Sequence, residues 1–333
     1  MAPGAHTVIT DSGLGGLAVC AALERALRPS AAATPVRLTY VNAWPFEGRG
    51  YNDLADVPAR ARVFDTALRQ MAGLRPDRIV IACNTLSILY PHTAFSLSSG
   101  VPVRGIIDAG VGVFGESLAE DAAATIVLAG TRTTIESGVH RDRLAARGTD
   151  PARIAAVPCH GLAAAIERDV NGPSAARLIE ECAARAAAAA PPGGTLLLGL
   201  CCTHYVYVAG RLEAALAAKT GRLVRALDPG RRLVEALLAE QTDGSDRSDG
   251  LIAAEAGGSR GREAGGEDGA PGGGSAGLAD RSGPAGIGAP DGVTVRVMSK
   301  VELAEESRVA IARLVEPVSR ATAEALLSYA RLR

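Results

Sequence analysis

Nine short apolar or β-branched runs punctuate the chain, and Ala-, Leu- and Arg-rich stretches separate them. The runs occupy 6–10 (HTVIT), 36–41, 78–82 (RIVIA), 101–107, 125–129 (TIVLA), 153–157, 195–199 (TLLLG), 223–227 and 293–297. Helical composition fills stretches such as 16–27, 58–71, 161–169 and 175–190. Strands with few polar positions, alternating with helices at this spacing, require a parallel sheet covered on both faces. The fold class is therefore α/β.

The alternation contains a repeat. The first run ends at Asp11-Ser12-Gly13, and 72 residues later RIVIA ends at Cys83-Asn84-Thr85. TIVLA ends near Thr131, and 71 residues later TLLLG leads into Cys202-Thr203-His204. Each half offers a strand with a polar turn, then a strand with a cysteine and a threonine. Two pseudo-symmetric parallel-sheet domains facing each other across a cleft would place one thiol on each side. Chemistry in open parallel sheets collects at the carboxyl ends of the strands, where both cysteines fall. The expected division is 1–108 with 226–240 and 293–333 for the first domain, and 109–225 for the second. The run from 293 to 333 is expected to return to the first domain as a strand and one or two helices.

Residues 241–292 break the pattern. They hold 16 of the 39 glycines, four Leu or Ile, no aromatic and no cysteine. Burial there cannot offset the entropy of ordering, so the segment reads as a disordered insertion tolerated on the surface. It carries a net charge of −5, against −1 for the whole chain, which leaves +4 on the remainder.

Composition narrows the function classes. Charge is balanced at 35 basic against 36 acidic residues, and aromatics are 3 %. Neither a nucleic-acid surface nor a base-stacking platform is expected. Lysine occurs only at 219 and 300, so a Schiff-base cofactor would have to use one of those two. No apolar run is long enough to span a membrane, and the first residues lack the pattern of a secretory leader. The expected compartment is the cytoplasm, with reduced thiols and no disulfide scaffold. The six cysteines (20, 83, 159, 182, 201 and 202) form no spaced zinc set, so no metal is expected.

Local sequence leaves several readings open. Cys83 suits a buried structural thiol, but Asn84 and Thr85 put polar donors beside it where a helix opens. Cys202 has His204 two residues away as a proton partner, whereas Cys201 reads as structural. Asp11 serves equally as a helix N-cap, Glu167 as an exposed helix charge, and the threonines as turn formers.

The motifs DSGLGGL (11–17), IACNT (81–85), GTRTTIES (130–137), PCHGLAAAIE (158–167) and CTHY (202–205) occur in the order found in glutamate racemases. Over most of 7–230 the chain resembles that cofactor-independent aspartate/glutamate racemase superfamily. The resemblance implies two α/β domains, with a cysteine from each flanking a small amino-acid substrate. Cys83 and Cys202 would exchange the Cα proton from opposite faces, with no cofactor. Asp11 would assist Cys83, while His204 and Glu167 would assist Cys202. Ser12, Asn84, Thr85, Thr131, Thr134 and Thr203 would hold the amino and carboxylate groups. The resemblance also points to a homodimer and to supply of D-glutamate for peptidoglycan; balanced charge and the lack of a long apolar run already speak against a nucleic-acid or membrane partner. The near absence of lysine agrees with chemistry that needs no Schiff base.

The sequence departs from that family at 40–53 (YVNAWPFEGRGYND), which also carries the single tryptophan, Trp44. Asn42-Ala43 stand where an acid is usual, and Gly48-Arg49-Gly50 where a substrate-contacting turn is usual. Arg49 is either the bidentate partner of a distal carboxylate or a solvated loop residue.

Deleting 241–292 is expected to leave folding intact. Soluble yield and the thermal unfolding midpoint of the deletion check this, and collapse of expression would contradict a passive insertion.

Overall fold

The computed structural model describes residues 5–31, 35–242, 287–288 and 292–332. The first half runs β1 (His6–Asp11), α1 (Leu17–Ala31), β2 (Val36–Asn42), α2 (Val57–Gly73), β3 (Arg78–Ile81), α3 (Asn84–Leu89), α4 (Phe95–Ser98) and β4 (Val103–Gly105). The second half runs α5 (Ile107–Glu120), β5 (Thr125–Gly130), α6 (Arg132–Glu136), α7 (Val139–Ala146), β6 (Ile154–Pro158), α8 (Leu162–Arg168), α9 (Pro173–Ala189), β7 (Leu196–Cys201), α10 (Ala209–Thr220) and β8 (Val224–Leu227). The chain then returns through α11 (Pro229–Thr242), β9 (Ile287–Gly288), β10 (Val293–Ser299), α12 (Glu305–Val315), α13 (Arg320–Leu327) and β11 (Ala330–Arg331).

Two sheets result. One has the order β11-β10-β2-β1-β3-β4, with β9 paired to β10; the other has the order β6-β5-β7-β8. Every pairing is parallel except the short β9–β10 ladder. The central strands β1, β5 and β7 are buried at every residue. Burial on both faces is why they read as continuous apolar runs rather than alternating ones. Each sheet has a packed core on either face: Leu23, Leu27 and Leu38 on one side of the first, Phe64, Leu68 and Met71 on the other. Tyr205 and Leu198 lie on one side of the second sheet, and Phe114 and Ile126 on the other.

Local signals set the helix ends. Asp56 accepts the Ala59 N–H at 2.7 Å at the start of α2, where Pro58 occupies the first turn. Gly221, at φ +66°, ends α10.

The α/β class, the two halves and the C-terminal return agree with the sequence reading. Three details differ. The domain cut between 225 and 226 passes through β8, whose hydrogen bonds to β7 place the whole strand in the second sheet. Residues 241 and 242 extend α11, and 287–288 pair with β10, so the expected insertion loses both edges; 243–286 and 289–291 lie outside the described residues. Cys159 and Cys182 are joined as a disulfide, contrary to the expectation that all thiols are reduced. The end of β6 lies against α9, which brings their Cα atoms to 5.4 Å, within bonding reach. No helix among the described residues is long and apolar enough to cross a membrane.

The turn after β1 is fixed from below. Tyr40, fully buried in β2, donates its hydroxyl to the Gly13 carbonyl at 2.6 Å. Tyr40→Phe is expected to leave that carbonyl without its donor and to cost about 1–2 kcal/mol of stability, read from the urea unfolding midpoint.

Candidate active site

β1 and β3 are neighbours in the first sheet, as β5 and β7 are in the second, and all four end on one cavity of about 270 Å³. Cys83 follows β3 and is the N-cap of α3. Its Sγ lies 3.2 Å from Ser12 Oγ and accepts the Leu86 N–H at 3.5 Å. Burial, and then the nearby Asp11 carboxyl, push the Cys83 thiol well above its usual range, so it rests protonated. Asp11 is itself raised by burial, against the opposing pull of His204 and of the Thr203 hydroxyl. It accepts the Thr203 hydroxyl, whose Oγ1 donates to Oδ2 at 2.8 Å from the other half of the molecule, and it is also bonded by the Ser12 backbone. Asp11 therefore neighbours Cys83 electrostatically, while Ser12 makes the contact to the sulfur.

Cys202 begins the turn after β7, and the same turn brings His204 back to it. Nδ1 of His204 lies 3.7 Å from Cys202 Sγ, and Nε2 lies 2.5 Å from Glu167 Oε1. The Leu14 N–H donates to the same oxygen at 2.6 Å, across the cleft. Burial alone would lower the His204 pKa, but the Glu167 charge and the bond to Cys202 raise it well above its ordinary value. Glu167 is thus no exposed helix charge; α8 aims it into the cavity wall. Cys201 ends β7 inside the core, as the structural reading expected, although it also borders the cavity.

The threonines meet across the two halves. Thr85 Oγ1 lies 3.0 Å from Thr131 Oγ1 and 3.1 Å from Thr134 Oγ1, and Thr131 bonds Thr134 at 3.0 Å. Thr131 also caps α6, so its turn-forming role is real as well. Asn84 is 2 % exposed and lines the cavity, and neither polar atom of its amide has a protein partner. Such an amide offers both donor and acceptor to a ligand.

Eleven of the fourteen expected site residues line the cavity: Asp11, Ser12, Cys83, Asn84, Thr85, Thr131, Glu167, Cys202, Thr203, His204 and, from the divergent loop, Gly50. Thr134 stands behind Thr85 and Thr131 and does not reach the cavity surface. Gly48 and Arg49 do not line it either; Arg49 is exposed and only approaches the Asp53 carbonyl at 3.5 Å. Asn42 is buried against β10, donating to Ser299 Oγ at 3.2 Å, and is absent from the wall. Trp44, Asn52, Arg132 and His160 do line the wall but were not among the expected site residues. Trp44 and Asn52 belong to the loop marked as divergent, whereas Arg132 is hidden inside GTRTT, where the threonines draw the eye. Among the described residues no group of three or more His, Cys, Asp or Glu is arranged to hold a metal ion.

The glycines of DSGLGG serve close approach rather than phosphate binding. A Cβ on Gly15 would lie 2.5 Å from Thr203 Oγ1 and 2.7 Å from the His204 backbone nitrogen. One on Gly13 would collide with Glu167 Oε1. Only a bare backbone lets the β1–α1 turn press against the opposite half.

A family model described as Asp/Glu/Hydantoin racemase matches residues 12–237. The chain is similar to a glutamate racemase from Granulibacter bethesdensis, with 39 % identity over 85 residues, 26 % of this chain and 28 % of that protein. It is also similar to one from Chlorobaculum tepidum, with 31 % identity over 132 residues, 40 % of this chain and 44 % of that protein. The matched region is therefore less than half the length of either relative. In fold it resembles the glutamate racemase from Francisella tularensis solved with D-glutamate, with a TM-score of 0.59, 16 % identity and 95 % of each chain covered.

The Glu167–His204 pair sets a measurable charge state. Because Glu167 raises the His204 pKa, the imidazole keeps its proton at neutral pH, and the stability this adds is lost as pH rises through the raised value. In Glu167→Gln only burial and the Cys202 contact remain, so His204 is expected to titrate at lower pH. NMR titration of the ring nitrogens checks the direction.

Proposed function

The chain belongs to the Asp/Glu/Hydantoin racemase family, and from that footing we propose that it interconverts L- and D-glutamate through proton exchange at Cα. The observation that carries this reading is the pair Cys83 and Cys202, supplied by different sheets to one cavity. Racemisation needs a base on one face of Cα and an acid on the other, and two thiols can exchange those roles without turning the substrate. One sulfur, as thiolate, takes the Cα proton while the other thiol gives its proton to the opposite face. The electron pair left by the broken C–H bond spreads into the α-carboxylate, so donors aimed at that group lower the barrier.

Ser12, Asn84, Thr85 and Thr203 are the donors in this reading. The Asn84 amide supports it, because it is buried on the cavity wall and both its polar atoms are free of protein partners and so open to a ligand. On the Cys202 side, protonated His204 holds its Nδ1–H 3.7 Å from Sγ, the neighbour a sulfur anion needs once its proton has left. Glu167 acts through His204 by keeping it charged and oriented. On the Cys83 side, the Ser12 hydroxyl and the Asp11 carboxyl take the corresponding places. The proposal includes no cofactor. It places the protein in the cytoplasm, working as a homodimer and supplying D-glutamate for peptidoglycan.

Incubation with L-glutamate in deuterated water tests the reaction. Deuterium is expected at Cα together with formation of D-glutamate, and both are expected to fall at least about 1000-fold in Cys83→Ser and in Cys202→Ser. Exchange that survives both substitutions would end the two-thiol mechanism. Exchange with aspartate but not with glutamate would move the specificity and keep the chemistry.

A further inference from the structure

A dicarboxylic amino acid brings two carboxylates into this cavity, and the hydroxyl and amide donors that line it are assigned to one of them in the reading above. The second leaves water as well, and it needs a cation or an equivalent set of donors where it comes to rest. The acidic side chains of the wall already have partners: Asp11 accepts from Thr203, Glu167 from Leu14 and His204, and Asp53 from the Gly50 N–H at 2.7 Å.

The arginines in and around the cavity are not all paired. Arg60 donates to the Leu54 carbonyl and to Thr133 Oγ1, and Arg49 does not reach the cavity. Arg132 is the one arginine lining the cavity; it is exposed, as Arg49 is, but unlike Arg49 it borders the cavity, and it makes no hydrogen bond or ion pair among the described residues. Both of its sequence neighbours are tied to the first half. Thr131 is bonded to Thr85 in the first half, and Thr133 gives its N–H and hydroxyl to Asn52 Oδ1 at 3.2 and 2.7 Å. The ties come from β3's end and from the divergent loop, so Arg132 is carried by the second half but positioned by the first.

We propose that Arg132 receives the side-chain carboxylate of the substrate and so sets the preference for an acidic amino acid. This rests on the racemase reading above and adds to it the group that selects the substrate. The guanidinium is free to pair bidentately, which a lysine at the same place would reproduce only as a point charge. Arg49, the cation that the sequence suggested for this task, is replaced by one 83 residues further along the chain and on the other half of the molecule.

Binding and exchange are measured separately to test it. In Arg132→Gln, calorimetric affinity for L-glutamate is expected to weaken by about 10- to 100-fold. The KM for L-glutamate exchange is expected to rise accordingly, with a much smaller change in kcat. The same variant should lose far less affinity for L-glutamine, which lacks the distal charge, and Arg132→Lys should recover part of the loss. The thermal midpoint should stay with the parent, since no protein contact is removed. Unchanged glutamate affinity in Arg132→Gln would overturn the assignment, and so would an equal loss for glutamate and glutamine, or loss on His160→Ala instead. A parent protein that binds glutamate through Arg132 but exchanges no Cα proton would refute the racemase reading and leave this assignment standing. A parent that binds no acidic amino acid would overturn both.

Discussion

One carboxylate oxygen joins the two halves at the point where chemistry is expected. Oε1 of Glu167, carried by α8 in the second half, accepts the Leu14 N–H of the first half and faces His204 Nε2. The arrangement demands that the turn after β1 come within hydrogen-bond distance of α8 and of the turn after β7. Side chains at 13 or 15 would prevent it, since their Cβ atoms would strike Glu167, Thr203 or His204. The Thr203–Asp11 bond and the Thr85–Thr131 contact then close the same seam at two further points. Polar contacts thus close the cavity between halves that each have a packed cluster on both faces of the sheet, with Tyr207 and Leu314 packing against a cluster of each half.

Much of this was legible in the sequence because the fold writes burial directly into residue type. Strands buried on both faces give apolar runs, and a polar residue right after such a run can only sit at a strand's carboxyl end. That logic located Asp11, Cys83, Thr131 and Cys202 before any coordinates. The details that escaped it depend on which distant segments come into register. Nothing near Cys159 marks Cys182 as its partner 23 residues away; their proximity follows from how α9 lies along β6. The same holds for Thr133 and Asn52, 81 residues apart. In the divergent loop the sequence offered the turn Gly48-Arg49-Gly50, but Phe46 and Arg49 form a bridge there and, of those three, Gly50 alone lines the cavity. β9 and β11 are two-residue strands, too short to leave a pattern.

The electrostatics of the cavity follow from the same seam. Closing it removes water from Asp11, Cys83 and His204, and burial penalises whichever form of each carries charge. For Cys83 and Asp11 the neutral form gains. For His204 the charged form wins despite burial, because Glu167 lies against Nε2 with its second contact already fixed by the Leu14 N–H. A carboxylate held in that way costs little reorganisation when the proton inventory around it changes. The Glu167–His204 pair is thus the internal charge pair that the seam itself holds in place.

This makes the two sides of the proposed reaction chemically unequal, although the fold is pseudo-symmetric. Cys83 is served by a neutral hydroxyl and by a carboxyl that burial pushes toward its protonated form. Cys202 is served by an imidazole held in its charged form. Taking the Cα proton onto Cys83 would require first moving the sulfur's own proton elsewhere, because burial holds that thiol protonated. Taking it onto Cys202 leaves the imidazolium free to support sulfur charge before the proton arrives. Sheets of different size bring the two thiols to one cavity, and the residues beside each thiol differ. Those residues come from different places in the two repeats: Asp11 and Ser12 end β1, whereas His204 shares a turn with its cysteine and Glu167 comes from α8. Repetition of the strands fixes where the sulfurs stand, and the loss of exact repetition around them fixes what each can do.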